Sequence, residues 1–413
     1  MRFPSKIDNR YSTFRLLSIL IMGKLFLPIV FENLPFPFSS IIFYFILYLG
    51  AVFIYFPTIY TQKTMLYFYS IMAVFYLFII SGFYKINLQW LYYEFSPFLL
   101  SLIIYKYFIR SGDWSGLKMV LRFTLIFIII TTITSIVGLL QYPMAARYLA
   151  GKLANEGNWA LIDYYTKIGI AGYGFYHGLA FSIPLFIAYF KEVKAKKKER
   201  LLYLGLIVLF LGGIIMSQYT SALVIAAVGI FMAIFGSKKF KRSIFILIII
   251  MTILVILPKD YIADSVLFTS ENIRGDALKS RLLDMSVTLN ESSGETETHM
   301  DRRAARIPYL LSNFLESPFY GSGKSSGHVY WLDILSRFGI LGILPLFLLI
   351  KYQIMKNFAV FSEPDKIYYV LSMILFIALG FMKNMGGNHM MMFTFFFIPA
   401  IFLLRKQKIN LFR

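Results

Sequence analysis

The sequence has no cysteine, few histidines and few charged residues, and each absence excludes a kind of protein. Without cysteine, the 413-residue chain has no disulfide, no thiolate nucleophile and no cysteine-ligated metal. Four histidines without a nearby cluster of Asp and Glu leave little basis for a metal centre, so we expect no metal and no cofactor. Charged residues make up 15% of the chain and hydrophobic residues 58%, whereas about 25% of a soluble domain is charged. A water-soluble globule and a disordered chain are therefore both excluded.

Long apolar runs take the place of the missing charge. Roughly 20 helical residues cross the hydrocarbon core of a bilayer. Runs of this length predict an all-α polytopic membrane protein with about 12 transmembrane helices. The spans are 16–31, 39–57, 65–84, 91–109, 119–140, 169–190, 201–217, 220–236, 243–258, 328–350, 367–383 and 388–404. The seventh and eighth form one apolar stretch interrupted only at 217–221, and we predict a tight polar turn there, because a single helix would overshoot the bilayer.

The net charge of +20 indicates orientation and not a polyanionic partner. With the N-terminus inside, the predicted cytoplasmic segments hold 26 Lys and Arg residues and the outer segments hold 13. This bias predicts that both termini are cytoplasmic. On this topology the inner segments carry the whole net charge, so membrane lipids are expected partners and nucleic acid is not.

The predicted spans divide the chain into three regions. Residues 1–258 hold helices 1–9 with a smaller outer loop at 141–168, residues 259–327 form one large outer loop, and residues 328–413 hold helices 10–12. Long ordered loops are usually functional, so we look for the site in the large outer loop.

Two amphipathic helices are predicted in the large outer loop. The first covers 272–289, and an acidic, polar stretch at 290–298 follows it. Asp301 can cap the second helix, 301–318, whose apolar residues recur at helical spacing. That stripe should lie on the membrane surface or on the helix bundle; it consists of Ile307, Leu310, Leu311, Phe314 and Leu315.

Arginines cluster at the start of the second amphipathic helix. Arg302, Arg303 and Arg306 project from neighbouring positions, and Arg281 lies on the preceding helix. Guanidinium groups suit phosphate or diphosphate, because their fork makes bidentate contacts. The alternative interpretation is a solvated basic face that pairs with nearby Asp and Glu.

A glycine-rich stretch at 317–328 connects this helix to span ten. Gly323-Lys324-Ser325 ends like a phosphate-binding P-loop, but Pro318 replaces a required glycine and no strand precedes it, so nucleotide binding is rejected. The glycines instead predict a tight re-entrant turn with close backbone approach. His328 then opens span ten, where a neutral imidazole suits a general base, or else an interfacial histidine that hydrogen-bonds a neighbour.

The region 317–342 contains the pattern Ser317-Pro318-Phe319-Tyr320-Gly321-x-Gly323, then His328, then Leu335-x-x-x-Gly339-Ile340-Leu341-Gly342. This pattern resembles the motif of the O-antigen polymerase and O-antigen ligase superfamily. Members have about twelve spans and one large periplasmic loop between late spans, and this layout matches nearly the whole chain.

The resemblance implies a GT-C-like, inverting, metal-independent glycosyltransferase in a bacterial inner membrane, with its active site facing the periplasm. The substrate would be an undecaprenyl-diphosphate-linked oligosaccharide, and a chain-length regulator and a flippase would be accessory partners. A polymerase moves the growing glycan onto the next lipid-linked repeat unit, whereas a ligase moves it onto the lipid A core.

The resemblance also assigns roles to residues. His328 would activate or orient the acceptor hydroxyl, and Gly321, Gly323 and Lys324 would form the substrate loop. Arg302, Arg303 and Arg306, with Arg281 next, would bind the diphosphate and stabilise the leaving group. Many members carry an arginine just after the Ser/Thr turn at 217–221, where this chain has Ala222; we expect Arg147 to substitute for it.

Other polar residues inside or beside spans receive structural interpretations. Arg337 should form an intrahelical ion pair with Asp333, four residues earlier. His177 is interpreted as a packing residue. Lys24 could snorkel or face a groove for the lipid carrier, and His389 could line the mouth of the site.

A polysaccharide transporter is the main alternative class. Ion-coupled transporters usually have ionisable groups at the midplane and internal repeats with broken helices. Here the ionisable groups inside spans are few and most candidates gather in one outer loop, which favours chemistry at the membrane surface.

Overall fold

The computed structural model describes residues 9–39, 41–59, 66–67, 69–70, 73, 88–149, 157–191, 197–235, 259–272, 279–280, 282–283, 306–385, 388–409 and 411. Every regular element in these segments is helical, and none of them contains a strand. The helices are α1 (Asn9–Phe26), α2 (Pro28–Phe31), α3 (Ile41–Ile59), α4 (Leu88–Ser111), α5 (Trp114–Gln141), α6 (Ala145–Arg147), α7 (Trp159–Lys167), α8 (Tyr173–Phe190), α9 (Lys197–Met216), α10 (Thr220–Phe235), α11 (Lys259–Asn272), α12 (Arg306–Glu316), α13 (Tyr330–Val360), α14 (Glu363–Met382), α15 (Asn388–Met392) and α16 (Ile398–Lys406). A π-helical turn, Phe393–Phe397, joins α15 to α16.

Several of these helices are long and apolar enough to cross a membrane. Within the described residues, five meet both criteria: Trp114–Gln141, Lys197–Met216, Tyr330–Val360, Glu363–Met382 and His389–Lys406. Two shorter apolar helices, Ile42–Ile54 and Thr220–Phe235, add to them. The chain is thus a helical, multi-pass membrane protein, as the composition predicts.

Helices occupy ten of the twelve predicted spans, and the total of twelve stays a prediction. The third span, 65–84, lies mostly outside the described residues, and the ninth, 243–258, lies wholly outside them. The first helix ends at Phe26 and not at residue 31, because Pro28 begins the separate short helix α2. The predicted turn at 217–221 is confirmed: α9 ends at Met216, Gln218 has φ +55°, and α10 begins at Thr220.

Helix α8 lies at the centre of the bundle. Nearly all of its residues are buried, and it packs against α9, α10, α14 and α15. A helix that is apolar on all sides is expected to be buried in this way. At Gly178 the missing side chain leaves room for the ring of Phe393, which a Cβ atom would meet at 2.0 Å.

Polar contacts gather at two opposite ends of the bundle. At one end, which we call the basic end, Arg405 pairs with Asp365 at 3.2 Å and Arg15 pairs with Asp113, whose carboxylate also caps α5. The other end, the loop end, holds the connections between α5 and α8, between α9 and α10, and before α13. Segments that the alternating topology assigns to one face therefore lie together, and which face is cytoplasmic stays a prediction.

The described part of the large outer loop contains two helices, and its last segment, 317–327, is irregular. Helix α11 covers its start, where no helix was predicted. The predicted helix 272–289 lies mostly outside the described residues. Helix α12 falls within the second predicted helix, but Asp301, its predicted cap, is not described. Only part of the predicted apolar stripe is buried: Leu310 faces the bundle, whereas Ile307, Leu311 and Leu315 are exposed. The exposed residues lie four apart and form a face suited to the membrane surface.

Candidate functional site

The glycine-rich segment 317–329, which we call the motif loop, is hydrogen-bonded into a break in α13. The break is at Gly339, which has φ +62° and ψ −163°. Around it, four backbone groups of α13 bond to the loop. These bonds are Ser322 N to Ser336 O, Gly323 N to Arg337 O, Ile340 N to Pro318 O and Leu341 N to Phe319 O, with N···O distances of 2.8, 3.2, 2.9 and 3.2 Å. The loop therefore satisfies backbone groups that a broken helix would otherwise leave unpaired inside the membrane.

Two motif glycines are required where the loop meets the helix. A Cβ atom on Gly339 would lie 2.4 Å from the carbonyl oxygen of Phe319, and one on Gly321, which has φ +78°, would lie 2.4 Å from that of Arg337. Neither distance is possible for a side chain. The two halves of the sequence motif, 317–323 and 335–342, are thus one structural unit, and the tight turn predicted from the glycines is present.

The carboxylate of Asp333 holds the end of the motif loop. Its Oδ1 accepts hydrogen bonds from the Ser326 hydroxyl at 2.9 Å and the Gly327 amide at 3.2 Å, and its Oδ2 accepts from the Val329 amide at 2.9 Å. A carboxylate in the first turn of α13 is also favoured by the helix dipole. These bonds determine the backbone path on both sides of His328, whose side chain is exposed at the loop end.

The predicted ion pair between Asp333 and Arg337 is wrong. Asp333 is engaged by the amides and hydroxyl of the motif loop, and the Arg337 guanidinium donates to the hydroxyl of Ser325. The prediction rested only on the four-residue spacing of the two residues within one helix. The motif loop instead provides each of them with a polar partner.

A small cleft lies between the motif loop and α13. Polar groups line it: Ser325, Asp333, Arg337 and Asn384, with Tyr330 beside them. Its volume is about 50 Å³, enough for one or two water molecules. Through Arg337 the cleft has a cation beside the loop that carries His328.

Lys324 and Arg306, two of the predicted site residues, lie on or beside α12. The Lys324 ammonium pairs with Glu316 at 3.3 Å, and both side chains are more than half exposed. An exposed pair of this kind stabilises the fold by less than ~1 kcal/mol, so it leaves Lys324 free to exchange partners. Arg306 begins α12, ten residues before Glu316, which places it about 15 Å further along the helix axis.

Arg147 lies at the loop end, beside the turn between α9 and α10. Its guanidinium donates to the carbonyl oxygen of Gln218 at 3.4 Å, and the hydroxyl of Tyr219 donates to the carbonyl of Ala146. Burial raises the pKa of Tyr219 well above its ordinary value, an effect that the charge of Arg147 partly opposes. The hydroxyl thus stays protonated and holds α6 against the turn. The role expected of Arg147 stays a prediction.

His177 lies directly behind this turn and is fully buried. Its Nδ1 lies 2.9 Å from the carbonyl oxygen of Tyr173, and its Nε2 lies 3.0 Å from the hydroxyl of Ser221. Because the carbonyl can only accept, Nδ1 carries the proton and Nε2 accepts from Ser221. The histidine therefore links α8 to the start of α10, which agrees with the packing role predicted for it.

Two further polar residues have structural partners. The Lys24 ammonium contacts Glu32 at 2.8 Å and the Ser39 carbonyl at 2.6 Å, so it is satisfied within the protein. His389 Nε2 lies 2.7 Å from the carbonyl oxygen of Leu25. These contacts join α1 to its neighbours at the loop end.

Three of the predicted diphosphate ligands, Arg281, Arg302 and Arg303, lie outside the described residues. Their roles stay predictions. Within the part of the chain that the structure describes, no three His, Asp or Glu side chains lie close enough together to hold a metal ion.

No protein-family model matches the chain, and no curated protein matches it.

Sequence reasoning missed Arg337 and Asn384 as site residues. Arg337 was interpreted from its spacing to Asp333 alone, and Asn384 lies in a short connection without a motif. One sequence signal was available for Arg337. It precedes Gly339 by two positions, and a glycine that breaks a span indicates that another backbone approaches there.

Proposed function

We propose that this protein is a surface-polysaccharide polymerase of the O-antigen polymerase and ligase superfamily. It transfers a growing glycan from undecaprenyl diphosphate to a hydroxyl of the next lipid-linked repeat unit. The observation that supports the proposal is the interlocked motif, in which the 317–323 and 335–342 segments form one unit beside His328. A motif dispersed over two separate surfaces would count against it.

The chemistry is an inverting displacement at the anomeric carbon of the donor sugar. The acceptor oxygen forms the new glycosidic bond, its proton passes to His328, and the bond to the diphosphate breaks with both electrons leaving on phosphate oxygen. His328 is suited to this step because its side chain is exposed on a loop whose backbone is fixed by Asp333.

Cations stabilise the leaving group. Negative charge on the diphosphate grows as the bond breaks, so guanidinium groups already in place stabilise the transition state more than the ground state. Arg337 in the cleft and Arg147 at the loop end are the described candidates, and Arg306 begins the surface helix. Arg281, Arg302 and Arg303 complete the proposed set, and no metal is required.

The proposed orientation follows the charge distribution. The basic end faces the cytoplasm with both termini, and the loop end faces the periplasm of the bacterial inner membrane. The exposed stripe on α12 rests on the outer leaflet, where the diphosphate of the lipid carrier lies.

A ligase that transfers polymer to the lipid A core is the second candidate, because its reaction centre would be the same. Lipopolysaccharide gel analysis of a deletion strain separates the two. Loss of the ladder with one repeat unit still on the core indicates a polymerase. Bare core with polymer retained on the lipid carrier indicates a ligase. An unchanged ladder would contradict both assignments.

The catalytic assignment is tested by complementing the deletion strain with His328→Ala. We expect normal amounts of membrane-inserted protein and no polymer. His299→Ala is the control, since it removes the histidine of the predicted large outer loop and should restore the ladder. Full polymer from His328→Ala would remove His328 from the mechanism.

A further inference from the structure

Three basic residues gather at the basic end, on facing sides of two helices. Lys106 and Arg110 lie one helical turn apart on α4, and Tyr352 and Lys356 lie one turn apart on α13. The two helices meet here, since the hydroxyl of Tyr105 donates to the side-chain oxygen of Asn357 at 2.9 Å. The cluster lies far from the motif loop: Lys356 is 17 residues beyond Gly339, about 25 Å along the helix.

The two lysines share one aromatic ring. The ammonium of Lys106 lies 6.0 Å and that of Lys356 lies 5.4 Å from the ring centroid of Tyr352. Burial disfavours the charge of Lys106 most, and the charges of Lys356 and Arg110 disfavour it further. Among the residues that the structure describes, no carboxylate pairs with Lys106 or Lys356. Neighbouring like charges repel each other, and a bound anion removes that repulsion.

The position of the cluster identifies the anion. About 20 residues of helix span the hydrocarbon core, and α13 has 31, so its last turns reach the headgroup region. Lys106 is half-buried and Lys356 is exposed. On another side of the cluster, the ring of Tyr67 packs edge-on against that of Tyr352 at 6.0 Å. Basic pockets between transmembrane helices at this depth suit lipid phosphate groups.

The geometry points to a binding site for the phosphate of an anionic phospholipid, formed by Lys106, Lys356 and Arg110 around Tyr352. The lipid phosphate lies between the two ammonium groups and removes their mutual repulsion, and its acyl chains lie along α4 and α13. The site is separate from the proposed reaction centre, so it stands or falls independently of the proposed function.

The test uses the purified full-length protein in neutral detergent with added phosphatidylglycerol or phosphatidylcholine. Retained lipids are counted by native mass spectrometry, and the Tm is measured in parallel. We expect phosphatidylglycerol, and not phosphatidylcholine, to be retained and to raise the Tm. Lys106→Gln and Lys356→Gln should each lower the affinity for phosphatidylglycerol about fivefold, since a basic residue near a lipid surface contributes about 1 kcal/mol.

Lys351→Gln is the matched control, because it removes an equally exposed charge from the same helix outside the cluster. It should bind phosphatidylglycerol as the wild type does. Equal binding of the two lipids by the wild type, or unchanged affinity in the Lys106→Gln/Lys356→Gln double variant, would overturn the proposal. Competition by millimolar inorganic phosphate would show a site for a soluble anion and refute the lipid assignment.

The Tm measured in phosphatidylcholine alone distinguishes a structural role of the lysines from a role in lipid binding. There the removal of one like charge should leave the Tm unchanged or raise it. A fall in Tm for the exposed Lys356→Gln variant, as large as the rise that phosphatidylglycerol produces in the wild type, would show that the lysine stabilises the fold directly.

Discussion

Replacing Gly339 by alanine should lower the stability of the protein far more than the addition of one methyl group usually does. Gly339 has φ +62° and ψ −163°, a region that only glycine occupies without strain, and a side chain held there costs about 1–3 kcal/mol. The new Cβ atom would also lie 2.4 Å from the carbonyl oxygen and 2.5 Å from the carbonyl carbon of Phe319. These are backbone atoms, so no side-chain rotation relieves the clash.

Relief requires the motif loop to move away from α13. Four backbone hydrogen bonds then break, each with a net contribution of about 0.5–1.5 kcal/mol. If some of these bonds persist, backbone strain and lost hydrogen bonds together lower the free energy of unfolding by about 3–6 kcal/mol for Gly339→Ala. This is a large share of the stability of a typical domain.

Gly327→Ala provides the matched comparison. Gly327 also has a positive φ, of +71°, but nothing lies within 4 Å of a Cβ atom there. Its substitution should therefore cost only the left-handed backbone strain, about 1–2 kcal/mol. Thermal unfolding in detergent, followed by the fluorescence of the four tryptophans, measures both variants. If Gly339→Ala is destabilised by no more than Gly327→Ala, the loop does not lock into the break and the reasoning is refuted.

Other contacts lead to smaller effects. Asp333→Ala should cost about 2–4 kcal/mol and speed proteolysis within the motif loop, because its amides lose a charged acceptor; an unchanged cleavage rate would contradict this. Ser221→Ala should lower stability by about 1–3 kcal/mol in thermal unfolding, because it leaves Nε2 of buried His177 without a donor, and a neutral result would show that the pair is dispensable. For Arg15→Ala and Asp113→Ala, a double-mutant cycle should give a coupling energy of about 1–2 kcal/mol, reduced by the partial exposure of the arginine; additive effects would mean that the ion pair contributes nothing.

Much of the helical architecture was predictable, because spans are specified locally. An apolar run of about 20 residues must be helical in lipid to satisfy its own backbone, whatever its neighbours are. The turn at 217–221 followed from the length of the apolar stretch, which no single helix fits to the bilayer, and from the polar residues that interrupt it there. The first helix shows where this reasoning stops: hydropathy continued to residue 31, but Pro28 ended the helix earlier.

The candidate site was predictable only in part. The glycine spacing indicated a close backbone approach, which Gly321 and Gly339 confirm, but it could not show which backbone approaches. Asp333 bonds to amides of the motif loop and not to the arginine four residues away, so the loop decided its partner. Arg337 consequently turned towards Ser325 and into the cleft.

By itself the sequence determined that this protein is a helical, multi-pass membrane protein and where most of its described helices lie. Those properties depend on composition and on spacing within one helix, where each residue meets the same lipid or water in any fold. The tertiary structure alone decided which charges are neutralised and which are not. Asp333 bonds to the motif loop, and Lys106 lies near Lys356, which is 250 residues away in the chain. Such pairings depend on how helices cross, and no local pattern in the chain encodes that geometry.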